Sequence, residues 1–133
     1  MYRSTVRLVA AGIMALSVTA CGPIPTATAP TPMFTLFGAV SEMTANGIAP
    51  VEGALIDVAS CDPRTRGGCA FDKKVTTNAQ GRYIVEGMYP GPAWVGLEKT
   101  GFQLPDGIEV NGEGVQTVLI EGDTRFDIQL VRR

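Results

Sequence analysis

The stretch VTTNAQGRYIVEGMYPGPAWVGLEKTGF, residues 75–102, decides how the rest of the chain reads. It holds two short alternating runs, RYIVEG and AWVGLEK, each bounded by residues that turn a chain. Ahead of the first run, NAQG ends on Gly81, which can take a positive φ, so a polar turn joins two strands and lets Tyr83 point inward. Between the runs Pro90 and Gly91 set a second tight turn, and Pro92 is expected to discourage ladder pairing beside it.

The same pattern runs outward in both directions. FTLFGAVSE, residues 34–42, puts Phe34, Leu36 and Val40 on one face with Gly38 among them, and ALIDVAS, residues 54–60, does so with Ala54, Ile56 and Val58. KKVTT (73–77), VQTVLIE (115–121) and RFDIQLV (125–131) continue it; in the last, Phe126, Ile128 and Leu130 face in while Asp127 and Gln129 face out. About seven strands joined by NAQG, YPGP, PDG and NGEG predict an all-β fold over residues 34–133, an antiparallel β-sandwich of the Ig-like or transthyretin-like kind. No internal repeat is visible.

At this point a resemblance enters. FGAVSEMTANGIAPVEGALIDVA followed by residues 75–102 resembles the carboxypeptidase regulatory-like domain, a transthyretin-like sandwich. Gly38-Ala39-Val40, Pro50, Gly53-Ala54, Thr77-Asn78, Gln80 to Tyr83, Gly87, Tyr89-Pro90-Gly91 and Gly101-Phe102 carry it. Asn78 stands where that family usually has aspartate, and the segment from Cys61 to Cys69 lengthens a connection. In metallocarboxypeptidases the module sits beside the zinc enzyme and lacks its site, so the resemblance implies a fold and no peptidase activity.

The N-terminus reads as an address. Arg3 and Arg7 precede LVAAGIMALSVTA, and no acidic residue occurs before Glu42. A positive start, a short apolar core and small residues are the parts of a secretory signal, here residues 1–20, and the apolar run is short of the roughly 20 residues a membrane span needs. Val18-Thr19-Ala20-Cys21 resembles the lipobox of bacterial lipoproteins, which implies a lipidated Cys21 and a membrane partner held through that anchor. Gly22 after the cysteine implies sorting to the outer membrane where a cell has one. The alternative is an ordinary signal peptide that leaves a free thiol. Residues 21–33, GPIPTATAPTP at their centre, alternate proline with small residues and read as a semi-rigid tether.

Removing residues 1–20 leaves 113, and nine basic residues against thirteen acidic, a net of about −4. That balance speaks against nucleic acid, which wants clustered cations. The chain has no histidine, so the commonest general base and the commonest zinc ligand are both missing. Hydroxyisourate hydrolases and intradiol dioxygenases, which share related sandwiches, depend on histidines. No catalytic residues and no cofactor are expected.

The remaining candidates are few. Cys61 and Cys69 are expected to form a disulfide in an exported domain, closing the loop DPRTRGG; a redox pair or half a metal site would need a third partner. An isopeptide bond through Lys73 or Lys74 lacks the early-strand lysine it requires. Asp106, Glu109, Asn111 and Glu113 group within eight residues, but without EF-hand spacing they read as an acidic turn rather than a calcium loop. Trp94, Tyr83, Tyr89 and Phe102 could form a platform for sugars; a lone tryptophan is more often packed under a loop.

The resulting expectation is a non-enzymatic lipoprotein of the cell envelope, an adhesion, assembly or docking module acting through a sheet edge or loops that include Arg64 and Arg66. The alternative is carbohydrate or peptidoglycan binding through Trp94.

Overall fold

The computed structural model describes residues 22, 29–62 and 73–133. Within them the chain is built of strands only: β1 (Phe34–Thr44), β2 (Gly47–Pro50), β3 (Leu55–Ser60), β4 (Lys73–Thr76), β5 (Arg82–Met88), β6 (Gly91–Gln103), β7 (Glu109–Ile120), β8 (Thr124–Arg125) and β9 (Ile128–Arg132). The expected alternation holds. Leu36, Val40, Ile56, Val58, Tyr83, Val85, Ala93, Val95, Leu97, Ile128 and Leu130 all point into one buried core. Removing each of the valine, leucine and isoleucine side chains from water stabilises the fold by about 1.5–3 kcal/mol, which is why the period-2 pattern sets the register.

The arrangement departs from the expected antiparallel sandwich of about seven strands in three ways. There are nine strands among the described residues, and they form one hydrogen-bonded path, β2-β1-β9-β6-β3-β4, with β5 and β8 on β1 and β7 on β6. That path curls into a half-barrel because β9 bridges the two layers: Val40, Ser41 and Glu42 pair with Ile128, Gln129 and Leu130, while Phe102 and Gln103 pair with Arg132 and Val131. The pairings of β1 with β8 and with β9 are parallel, so the fold is mixed, not purely antiparallel.

Local chemistry explains the details. Gly81, at φ 70°, closes the NAQG turn by donating its N–H to the Asn78 carbonyl at 2.8 Å. The Asn78 side-chain oxygen accepts the N–H groups of Gln80 and Arg82 at 3.0 and 2.9 Å. That role needs only an acceptor, so asparagine fills it as aspartate would. The buried Thr77 hydroxyl accepts from the Ala54 N–H at 2.9 Å and donates to the Val51 carbonyl at 2.7 Å, pinning the bend before β3. Residues 44–47 make a two-residue hairpin between β1 and β2, stabilised by the Thr44 hydroxyl on the Gly47 carbonyl at 2.8 Å.

Two turn expectations are corrected. Pro92 lies inside the ladder opposite Leu119; β3 has ended one residue earlier, with Ser60 opposite Ala93, so the missing N–H costs no pairing on that side. NGEG is no turn but a bulged part of β7, where the register against β6 shifts between Gly96 and Glu98.

The run RFDIQLV breaks at Phe126 and Asp127, and side chains mend the break. Asp123 and Asp127 carboxylates accept the Thr35 and Ala39 N–H groups, each at 2.9 Å, and the Phe126 N–H reaches the Phe37 carbonyl at 2.8 Å. Carboxylate oxygens thus occupy the places of ladder carbonyls.

Candidate functional site

The outer face of β1 and β5 is the first candidate. Alternation turns Thr35, Phe37 and Ala39 outward on β1 and Arg82, Ile84 and Glu86 outward on β5. Phe37 lies directly opposite Ile84 and, across its other edge, beside Arg125. Both apolar side chains stay accessible, Phe37 by 38% and Ile84 by 61%. With Arg82 and Arg125 at its margins this face forms an open groove of about 500 Å³. Arg125 is held by Asp127, Nε to Oδ2 at 2.9 Å, the same carboxylate that anchors Ala39. Behind the groove, Tyr83 pairs across from Gly38 and donates its hydroxyl to the Phe126 carbonyl. Burial, followed by the Asp127 charge, pushes the Tyr83 phenol well above its usual 10.0. The tyrosine is a neutral structural donor.

The second candidate is the outer face of β3, β6 and β7. Trp94 sits between Ala59 and Thr117 and is 64% exposed; Pro92, two residues earlier, faces Leu119, which is 58% exposed. Ala93, Val95 and Leu97 point the other way and are fully buried. Trp94 is therefore not packed under a loop. The next row carries Asp57, paired with Lys74 at 3.4 Å, and Gly96.

The other sequence candidates fare differently. Tyr83 and Phe102 are buried and join no platform with Trp94; the Phe102 ring instead receives the Arg132 guanidinium at 5.1 Å from its centre. Asp106 accepts the Ile108 N–H at 3.2 Å within its own turn, and Glu109 is paired with Arg133. Lys73 donates to the Glu86 carbonyl. Cys61 directly follows β3; its expected partner Cys69 lies outside the described residues, as do Arg64, Arg66 and Cys21.

The groove itself escaped the sequence reading. Part of its signal was present: RYIVEG places an isoleucine outward and TLFGA a phenylalanine outward, but no turn joins those two strands, and only their pairing brings the two side chains together.

No protein-family model matches the chain. No curated protein matches it either. Among solved structures it resembles the minor pilin GBS52 of Streptococcus agalactiae, at 13% identity and a TM-score of 0.54, over 76% of this chain and 45% of that one. It also resembles a streptococcal ancillary pilin, at 20% identity and 0.52, over 77% and 30%. A third is the 3-chlorocatechol 1,2-dioxygenase of Rhodococcus opacus, at 15% identity and 0.52, over 78% and 61%. The chain spans less than two thirds of each of these proteins. At such identities the likeness shows a fold alone: the chain is an all-β domain similar in fold to domains of two pilins and of a dioxygenase.

Proposed function

We propose that the chain is an exported, lipid-anchored and non-catalytic domain that docks a protein partner in the cell envelope, with the β1–β5 groove as the docking face. The same fold occurs in two pilins and in a dioxygenase, so function has to be argued from the surface rather than the fold. The observation that carries the reading is the cross-strand Phe37–Ile84 pair left open between two arginines. An outward phenylalanine and isoleucine side by side lose apolar hydration only when something covers them. Arginines at the margin suit a partner segment that brings an apolar side chain and carboxylates. The absence of histidine from the whole sequence supports the non-catalytic part.

The test places a photo-crosslinking amino acid at Ile84 in the native lipoprotein in intact cells, with Thr76 as an exposed control position. One discrete protein adduct from position 84, absent from position 76 and lost on Arg82→Glu, is the expected result. Adducts only to lipid or glycan would overturn the reading.

A further inference from the structure

We infer that the Trp94–Leu119 patch is a lipid-docking surface, which seats the domain on the bilayer that holds its own anchor; this rests on the reading of Cys21 as the lipidated residue. Three observations lead there.

The first is position. The tether enters at Phe34, which pairs with Met88 at the end of β5, and two residues separate Met88 from Gly91 at the start of β6. Gly91 in turn faces Ile120, the last residue of β7. The start of β1, the start of β6 and the end of β7 therefore share one end of the fold. Trp94 lies three residues into β6, about 10 Å from that end at 3.3 Å per residue. From Cys21 to Phe34 there are thirteen residues, about 40 Å if extended at 3.1 Å each. The tether is long enough to let the patch reach the membrane and short enough to hold it there.

The second is chemistry. Trp94, Pro92 and Leu119 project from one sheet face, with half-buried Ala59 of β3 beside Trp94. Tryptophan is the side chain that settles at the boundary of headgroups and acyl chains. The charges in the next row, Asp57 and Lys74, cancel one another. With a net charge near −4 after residue 20, the domain as a whole is not drawn to anionic headgroups, so the proposed contact is apolar, made with neutral lipid and insensitive to salt.

The third is linkage. Two large side chains are too small a patch to bind a bilayer from free solution, but the anchor makes the contact intramolecular, with an effective concentration in the millimolar range for a short tether. A patch this size suits a tethered domain.

Trp94 is the sole tryptophan, so its fluorescence reports on this surface alone. The lipidated protein would be reconstituted into phosphatidylcholine vesicles with and without brominated acyl chains, with flotation as an independent check on anchoring. The expected result is protein that floats, with emission shifted to the blue relative to unlipidated Cys21→Ser and mostly quenched by brominated lipid, independent of salt. Leu119→Glu, an exposed change that leaves the core intact, should float yet lose both the shift and the quenching. Protein that floats with solution-like, unquenched emission overturns the docking while leaving the anchor in place. Protein that fails to float overturns the anchor and the docking with it. A blue shift that grows with concentration of Cys21→Ser in the absence of lipid, or one raised by added polysaccharide and not by vesicles, overturns the proposal in favour of a second copy or a glycan.

Discussion

The carbonyl oxygen of Phe126 occupies the place that a side chain at Gly38 would take. A Cβ built on Gly38 would overlap that oxygen and its carbon and meet the Tyr83 hydroxyl at 3.1 Å. The neighbour is backbone, fixed by the Phe126 N–H on the Phe37 carbonyl and by the Tyr83 hydroxyl, so it cannot swing aside. The glycine lets β1 take a parallel strand on one edge and the Tyr83 ring across its other pair.

Gly38→Ala should therefore destabilise the domain by about 3 kcal/mol, the upper part of the range for forced overpacking. Gly122→Ala, where a new Cβ meets nothing within 4 Å, should stay within about 0.5 kcal/mol of the parent. Urea unfolding of the two variants measures the difference, and equal midpoints would show that the β8–β9 junction yields more easily than its hydrogen bonds imply.

Much of this frame is legible in the sequence, and the boundary is physical. Alternation in FTLFGAVSE, ALIDVAS and RYIVEG assigns each side chain to a face, because burying one face of a strand leaves no other register. Turn chemistry places Gly81 and Asn78. What alternation cannot supply is which strands meet. The parallel seating of β8 and β9 on β1 and the closing of β1 on Arg132 are contacts between residues about 90 positions apart, and the bend that brings the end of β6 to β9 joins residues about 30 apart. The same limit hid the groove: Phe37 and Ile84 each read as an isolated outward residue until β1 and β5 are set side by side. Trp94 meets a related limit, since the face it shares with Leu119 becomes a patch only through the pairing of β6 with β7.

Glu42 supplies a prediction in acid. Its carboxylate lies almost wholly buried on β1 and takes two hydrogen bonds from Arg132, at 2.8 and 3.1 Å. Those bonds, opposed by burial and aided by the guanidinium charge, hold its pKa below the ordinary 4.5. A depressed folded-state value means that the pair stabilises the fold fully above the unfolded value and loses that effect as pH falls through the folded one. Glu42→Gln should thus unfold at lower urea than the parent at neutral pH, with the gap closing as the pH falls below 4.5. A gap that persists unchanged in acid would mean that packing against Phe102, and not the charge, holds Arg132.

Tyr83 predicts the opposite limb. Its folded pKa is raised, so the neutral phenol contributes stability that is present below 10.0 and lost as pH rises beyond it, where the unfolded tyrosine ionises. Tyr83→Phe should cost about 1 kcal/mol near neutral pH through the lost hydrogen bond to Phe126. It should also show a flatter decline in stability above pH 10 than the parent. Parallel alkaline curves for the two proteins would show that other groups control that limb.

The cysteines give the last prediction, and it bears on where the domain works. If Cys21 carries the proposed acylation, Cys61 and Cys69 remain, and a bridge between them would close a loop of about nine residues and restrict the unfolded chain by about 2–3 kcal/mol in an oxidising compartment. Protein recovered from the envelope should react with no thiol reagent until it is reduced, and reduction should lower its melting temperature. Cys21→Ser should leave that pattern untouched while releasing the protein from the membrane fraction. Two reactive thiols in the native protein would remove the bridge, and membrane retention of Cys21→Ser would mean that residues 1–20 stay attached as the anchor.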